Sequence, residues 1–218
     1  MSPRFKMLLE KITKMKPIFP ELAKTIQQIS ELPIAAHRKI ILQELIEYVR
    51  AKHLQKEDIH LNFICTHNSR RSQFSQIWAF TAAYLCGVNA FCYSGGVEVT
   101  AFNERAVTSI RKSGFGISSN GTSNPVYKVT LNDQVQALNV FSKLYDHPIN
   151  QTKSFAAVMT CSHADENCPF IPGTEKRISL QYEDPKAFDD SPQEGQKYDE
   201  RSWQIASELF YVFRSIKA

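Results

Sequence analysis

The sequence predicts an α/β fold: a three-layer, doubly wound sheet of four parallel strands, with an N-terminal helical extension and an inserted hairpin. Short apolar segments alternate along the chain with segments of helical periodicity, which is typical of parallel strands joined by crossover helices. Polar or reactive residues follow the predicted strands, as at the carboxyl edge of such a sheet. A chain of 218 residues, 43% of them hydrophobic, is long enough for one domain of this kind and an extension.

The first 57 residues predict the helical extension. Prolines punctuate its early part, and apolar residues then recur at the i, i+3, i+4 and i+7 positions of one helical face: Leu42, Leu45, Ile46 and Val49. We expect this stripe to lie on the main domain. The chain therefore divides into a helical extension over residues 1–57 and a main domain over residues 58–218.

Two strand-loop-helix units open the main domain. The first strand covers residues 61–64 and runs into Cys65, after which apolar residues follow at helical spacing: Phe74, Ile77, Trp78, Thr81 and Leu85. The second strand covers residues 88–93 and ends at Ser94. A helix follows it from about residue 100 to a stop at Gly114.

The C-terminal part supplies two more strands and a closing helix. Residues 155–160 predict the third strand, which ends at Cys161, and residues 178–182 predict the fourth. An amphipathic helix over residues 202–213 closes the domain. Cys65, Ser94, Cys161 and Asp184 all follow predicted strands, so we expect them to share one rim of the sheet.

An insertion at about residues 120–150 separates the second unit from the third strand. It carries two β-prone stretches, residues 126–131 and 135–141, joined by polar residues that favour a turn. We expect a surface hairpin there.

Composition restricts the compartment and the partners. The net charge of +4 is spread along the chain, and the lysines and arginines do not alternate with aromatic residues. This distribution argues against a nucleic-acid partner. Residues 1–16 mix charges with their leucines and carry no export signal, and the apolar runs are too short to span a membrane. Five cysteines, an odd number, predict free thiols in a reducing, cytoplasmic setting.

The segment Cys65-Thr66-His67-Asn68-Ser69-Arg70-Arg71-Ser72 predicts an oxyanion-binding loop between a strand and a helix. Successive backbone N–H groups, from Thr66 to Arg71, point into such a loop, and the helix N-terminus adds positive potential. The same field favours the thiolate of Cys65 over its thiol, so Cys65 is the predicted nucleophile.

Three side chains of this loop have predicted roles. Arg71 is suited to a bidentate grip on two oxygens, Ser72 can donate to the sulfur, and Asn68 tolerates the left-handed dihedrals of a tight turn. The alternative is that Cys65 is an ordinary buried strand-end cysteine and Arg71 a solvated helix residue. The placement between strand and helix, with a serine following, favours the functional interpretation.

The segments 63–66, 68–69, 71–73 and 93–94 resemble the first two strand ends of the low-molecular-weight protein tyrosine phosphatase superfamily. The similarity is greater to its relatives, the thioredoxin-coupled arsenate reductases, and covers about residues 59–215. It implies a catalytic domain of this fold over residues 58–218. The extension and the insertion have no counterpart in compact members of the family.

Cys161 and Cys168 lie seven residues apart at the end of the third strand. Their spacing, and the Asn-Cys-Pro that ends the segment, are similar to the redox segment of the reductases, which implies a relay of three thiols. The alternatives are two core cysteines or a zinc site. The segment offers only His163 and Asp165 as further ligands, so we expect no metal.

Asp184 stands in an Asp-Pro pair sixteen residues after Cys168. On its own the pair predicts only a turn, but the resemblance implies the general acid of the family at this distance. Lys186 and Ala187 follow, where phosphatases of this fold usually have aromatic residues. This difference weakens the prediction of phosphotyrosine binding.

The sequence departs from the family pattern in the loop and near it. His67 replaces a common glycine, and Arg70 replaces a small residue or cysteine, so both add positive character. Gln76 and Asn124 occupy positions where some reductases have the carboxylates that hold a potassium ion. We therefore expect no cofactor.

These residues predict an arsenate reductase in which Cys65 attacks the oxyanion, Asp184 protonates the departing oxygen, and Cys161 and Cys168 carry the disulfide to a thioredoxin-like reductant. The alternative enzyme is a phosphomonoester hydrolase with a phosphocysteine intermediate, in which Cys161 and Cys168 only protect the nucleophile. From a different class, the chain could be a non-catalytic anion-binding module.

Overall fold

The structure is a computed structural model that describes residues 17–167 and 170–216. Its elements in chain order are α1 (Pro20–Ile29), α2 (Ala36–Gln55), β1 (Ile59–Cys65), α3 (Arg71–Cys86), β2 (Ala90–Gly96), α4 (Glu104–Lys112), β3 (Gly116–Asn120), β4 (Val126–Thr130), β5 (Leu138–Val140), β6 (Phe155–Met159), α5 (Ser162–Asn167), β7 (Thr174–Ser179), a 3₁₀ turn (Pro185–Phe188) and α6 (Glu194–Arg214). The predictions for residues 1–16 and for Cys168 lie outside the described residues.

Four parallel strands form the central sheet in the order β2-β1-β6-β7. Side chains of β1 alternate between its faces: Leu61 and Phe63 enter the larger core beneath α3 and α6, whereas Ile64 enters a smaller core with Ala164 of α5. Strand β1 is buried on both faces, as is typical of a parallel sheet covered by helices. Its one fully buried polar side chain, Asn62, donates to the carbonyl of Tyr145 (2.9 Å). The predicted three-layer α/β fold is confirmed.

The helices before β1 share the larger core. The predicted stripe on α2 (Leu42, Leu45, Ile46 and Val49) is buried, as are the apolar residues of α1. The guanidinium of Arg38 also donates twice to the carboxylate of Glu208 in α6, at 2.9 and 2.7 Å. The extension is thus packed into the same core as the sheet, and its boundary at residue 57 stays a prediction. Within the described residues, no helix is both long and apolar enough to cross a bilayer.

The insertion contains the predicted hairpin, and the residues just before it form one further strand. Strands β4 and β5 pair antiparallel, and β3 pairs with the other edge of β4 to make a three-stranded sheet. Strand β3 has the sequence Gly-Ile-Ser-Ser-Asn and is mostly exposed. The sequence did not predict it, because it lacks the alternating apolar residues typical of a strand.

Three boundaries differ from the sequence prediction. Strand β2 begins and ends later than predicted, which places Ser94 inside the strand and not beyond its end. Strand β7 ends at Ser179, and the predicted residues 178–182 mostly follow it. Strand β7 lies at the sheet edge and is largely polar, so its own sequence does not show the pattern of a buried strand. The prediction instead followed the apolar residues Leu180 and Tyr182, which lie beyond its end. Helix α6 begins at Glu194, eight residues before the predicted start. The prediction missed its first turns because they are mostly polar.

A matched pair of leucines in α2 tests whether the extension stabilises the domain. Leu45 is fully buried and Leu54 is 73% exposed. We expect Leu45→Ala to lower the free energy of unfolding by about 2–5 kcal/mol because it leaves a cavity in the shared core. Leu54→Ala should change it by about 0.5 kcal/mol or less. Urea unfolding monitored by tryptophan fluorescence measures both; equal small effects would contradict the shared core.

Candidate active site

Residues 66–70, between β1 and α3, form a loop whose carbonyl groups point outward. The carbonyl of Thr66 accepts from the amide of Glu98 (2.8 Å), that of His67 from the hydroxyl of Ser142 (2.8 Å), and that of Ser69 from the amide of Asn103 (3.0 Å). A planar trans peptide directs its C=O and the following N–H to opposite sides. Among the described residues, no amide of residues 66–70 donates to a protein atom, so these N–H groups are left facing the interior of the loop.

Asn68 fixes the turn of the loop. Its φ of 46° is left-handed, and its side chain bonds on both sides: Oδ1 accepts from the amide of Lys143 (3.0 Å) and Nδ2 donates to Oγ of Ser72 (2.8 Å). The end of β2 approaches closely here. A Cβ on Gly96 would lie 2.8 Å from the amide nitrogen of Asn68, so glycine is needed at that position.

The sulfur of Cys65 lies at the base of the loop and is 4% exposed as a residue. It is 3.1 Å from Oγ of Ser72. Since that oxygen already accepts from Asn68, the hydroxyl proton of Ser72 is available to the sulfur. The structure thus places the Ser72 hydroxyl within hydrogen-bond distance of the sulfur, at the position where the sequence predicts a donor.

Asp184 is held by both arginines of the loop. Arg71 donates to its Oδ2 (2.8 Å) and to the carbonyl of Tyr182 (2.9 Å), while Arg70 donates to its Oδ1 (2.8 Å). Burial raises the pKa of the Asp184 carboxyl, but the charges of Arg71 and Arg70 outweigh burial and hold that pKa below its usual value. Asp184 is therefore ionised in this arrangement. Within the described residues, Nε of Arg71 is buried without a hydrogen-bond partner.

A second thiol lies behind the loop. Cys161 directly follows β6 and is 1% exposed. Its sulfur is 3.5 Å from Oγ1 of Thr66 and accepts from the amide of Ala164 at 3.4 Å. Oγ1 of Thr66 is also 3.2 Å from Nδ1 of His163. Thr66 thus joins the loop to the segment that begins at Cys161, while Cys168 lies outside the described residues.

Two other cysteines lie away from this cluster. Cys92 is in β2, where burial raises the pKa of its thiol well above the usual value. Cys86 ends α3 and is half-buried. At such positions cysteine usually serves as a small apolar residue.

A cleft of about 450 Å³ opens beside the loop. Its lining combines the loop, the chain before α4 and the 3₁₀ turn after Asp184, and includes His67, Arg70, Asn103, Lys186 and Asp189. His67 also lies 3.3 Å from the carboxylate of Glu98. The cleft carries charges of both signs.

Of the four residues expected on one rim, Cys65, Cys161 and Asp184 meet around the loop and Ser94 does not. The hydroxyl of Ser94 instead donates to the amide oxygen of Gln76 inside the core (2.6 Å). Gln76 and Asn124, predicted to replace cation-binding carboxylates, both bond to protein groups. Among the described residues, no group of three or more His, Cys, Asp and Glu side chains has the geometry of a metal site.

Sequence reasoning missed Ser142 and Lys143, which support the loop from the chain after β5. Besides bonding the carbonyl of His67, Ser142 accepts from the amide of Thr100 (2.9 Å). Lys143 is 3% exposed, and burial lowers its pKa to about 8. Its ammonium lies 4.9 Å from the ring centre of Phe141 and has no hydrogen-bond partner among the described residues. The available signal was a Ser-Lys pair flanked on both sides by apolar residues, in Val140-Phe141-Ser142-Lys143-Leu144-Tyr145.

Comparison with known proteins places these features in a family. No protein-family model matches the chain. Arsenate reductase 2 of Staphylococcus haemolyticus is 33% identical over 123 residues, which cover 56% of this chain and 76% of that protein. Arsenate reductase 2 of Staphylococcus epidermidis is 32% identical over the same shares.

Solved structures share the fold at lower identity. A low-molecular-weight phosphotyrosine phosphatase of Vibrio cholerae is 12% identical and covers 73% of this chain and 97% of its own, with a TM-score of 0.50. A variant of YwlE from Bacillus subtilis is 14% identical and covers 73% and 99%, with a TM-score of 0.51. The sequence relatives show that the chain belongs to the arsenate reductase family, and it shares its fold with a low-molecular-weight phosphotyrosine phosphatase.

Proposed function

We propose that this protein reduces arsenate to arsenite with a thiol relay that begins at Cys65. The supporting observation is that a second buried thiol, Cys161, reaches the oxyanion loop through Thr66. Hydrolysis of a phosphate ester needs one cysteine. Reduction of arsenic(V) to arsenic(III) needs two electrons, which a pair of thiols supplies by forming a disulfide.

In the first step, arsenate binds in the loop formed by residues 66–71. Inward amides hold its oxygens, and Arg71 turns its guanidinium, including the unpaired Nε, to the anion. The Cys65 thiolate attacks arsenic, so a sulfur–arsenic bond forms and an arsenic–oxygen bond breaks. The departing group is a hydroxyl of hydrogen arsenate, which takes one proton from Asp184 and leaves as water. Ser72 releases the sulfur from its hydrogen bond as the attack proceeds.

Asp184 must gain a proton before it can act as an acid. In the free protein it is ionised between two guanidinium groups. A bound dianion draws Arg71 away from the carboxylate and adds negative charge beside it. Both changes raise the pKa of Asp184, so anion binding itself favours the acid form.

In the second step, the thiolate of Cys161 attacks the Cys65 sulfur. A disulfide forms, the electron pair of the sulfur–arsenic bond passes to arsenic, and arsenite leaves. Cys168 then attacks Cys161 and releases Cys65 as a thiolate. A thioredoxin-like dithiol reduces the resulting Cys161–Cys168 disulfide and returns both thiols. The chain supplies all three sulfurs, and the outside reductant supplies the two electrons.

The second candidate function is hydrolysis of a phosphomonoester through phospho-Cys65. The cleft beside the loop favours it, because about 450 Å³ exceeds what a single tetrahedral anion occupies and leaves space for an ester group. Asp184 would protonate the leaving oxygen, and water would then release phosphate. In this reaction Cys161 takes no part in catalysis and only protects the nucleophile from over-oxidation.

Cysteine variants separate the two functions. We expect Cys65→Ser to abolish both thioredoxin-dependent arsenate reduction and hydrolysis of an aryl phosphate, because both begin at that sulfur. Cys161→Ser and Cys168→Ser should lower arsenate reduction by roughly 1000-fold while the aryl phosphate is still hydrolysed. Cys86→Ser is the matched control and should keep both rates. The reductase assignment fails if the wild type hydrolyses the ester but never reduces arsenate.

Proton uptake on anion binding tests the role of Asp184. Sulfate is a suitable probe because it stays a dianion at about pH 5, where a raised pKa would leave Asp184 partly protonated. Titration calorimetry in two buffers with different ionisation enthalpies should show uptake of up to about one proton per sulfate. The uptake should vanish in Asp184→Asn and persist in Asp190→Asn, whose side chain is 87% exposed. Tight sulfate binding by the wild type without proton uptake would contradict the protonation of Asp184 on anion binding.

A further inference from the structure

Three side chains form a continuous path from the buried sulfur of Cys161 to the protein surface. Cys161 is 1% exposed, Oγ1 of Thr66 lies 3.5 Å from its sulfur, and Nδ1 of His163 lies 3.2 Å from the same hydroxyl oxygen. His163 stands on the exposed side of α5. A hydroxyl both donates and accepts, so Thr66 can receive a proton from the thiol while passing its own to the imidazole.

The proposed relay needs such a path. Only a thiolate attacks the Cys65 sulfur efficiently, and Cys161 is 1% exposed, so solvent has little access to take up its proton directly. The proton of Cys161 must therefore leave as the attack begins. Imidazole ionises near neutral pH in water, at about 6.5, which suits a group that accepts a proton and returns it to solvent.

Among the titratable groups around α5, His163 is the one that contacts Thr66 and can act as the base on this path. Asp165, the nearest carboxylate in α5, is turned to β7, where it accepts from Arg177 (2.8 Å) and Ser179 (2.6 Å). Helix α5 packs against β1 and β6; the ionisable groups of β1 are His60, at its far end, and Cys65, and β6 has none. Glu166 is exposed on α5 itself. The imidazole of the loop, His67, lies beside Glu98.

We propose that His163 accepts the proton of Cys161 through Oγ1 of Thr66 when Cys161 attacks Cys65. The inference rests on the proposed arsenate reduction. The thiol proton passes to Thr66 and the threonine proton to Nδ1 of a neutral imidazole whose Nε2 carries hydrogen. The Cys161 thiolate then forms the disulfide, the sulfur–arsenic electron pair passes to arsenic, and arsenite leaves. His163 acts through Thr66 and does not touch the arsenic.

A single-turnover experiment isolates this step. The reduced full-length protein is mixed with excess arsenate without a reductant, and the burst of arsenite is followed between about pH 5.5 and pH 8.5. Each preparation is also assayed for aryl phosphate hydrolysis, which reports Cys65 chemistry alone, and the burst is expressed relative to it. The variants are His163→Asn, His163→Ala and, as a matched control, the exposed His37→Asn.

In the wild type and His37→Asn, we expect the burst rate to rise with pH and then level off, because the neutral imidazole is the form that accepts the proton. In His163→Asn the relative rate at neutral pH should fall roughly 100-fold and rise about tenfold per pH unit toward the ionisation of the thiol itself. Asparagine can still hydrogen-bond Thr66 but cannot take up a proton. It therefore separates proton transfer from support of the loop, and His163→Ala should behave like it.

Three results would overturn the proposal. The first is a burst in His163→Asn with the rate and pH profile of the control, which leaves the reductase function intact. The second is an equal loss of burst and ester hydrolysis, which would mean that His163 only supports the fold. The third is a wild type that hydrolyses the ester and releases no arsenite, which removes the reductase function together with the inference drawn from it.

Discussion

The site depends on the outward orientation of five consecutive carbonyl groups, those of residues 65–69. Each accepts a hydrogen bond from a neighbouring segment, and because the peptide group is planar, each bond also directs the following amide inward. The donors come from the chain after β2, from Ser142 and from α3. The oxyanion loop is thus built by its surroundings, and residues far away in sequence are as necessary to it as the loop residues themselves.

The arginines of this loop, and a buried lysine in the segment that supports it, carry positive charge. Arg70 and Arg71 share Asp184, and Lys143 is buried nearby without a hydrogen-bond partner among the described residues. Lowering the pKa of a lysine from 10.5 to about 8 corresponds to about 3 kcal/mol of lost preference for the charged form. The ring of Phe141 offsets part of this cost. A buried positive charge that costs free energy in the free protein favours the binding of an anion.

Local sequence patterns predicted the central sheet and the loop because strand, turn and helix there follow one another directly. The left-handed Asn68 and the Cys65–Ser72 pair lie within eight residues of chain. Contacts such as that of Asn68 with Lys143 join positions 75 residues apart, and no local pattern contains them. The same limit hid the Asp184 ion pairs: the sequence suggested an acid, but its ionised state depends on two arginines more than a hundred residues away.

The packing of the smaller of the two cores affects how the two thiols can meet. Cys161 and Cys65 belong to the smaller core, which the six-residue helix α5 covers, and the sulfur of Cys161 contacts Thr66. In the proposed relay the sulfurs of Cys65 and Cys161 must approach to about 2 Å, so one of them has to move toward the other. Helix α5 is tied to the region of β7 through Asp165, which accepts from Arg177, Ser179 and Gln181. The carbonyl groups of the loop are held by other parts of the chain, so α5 can shift in the proposed relay without breaking those bonds.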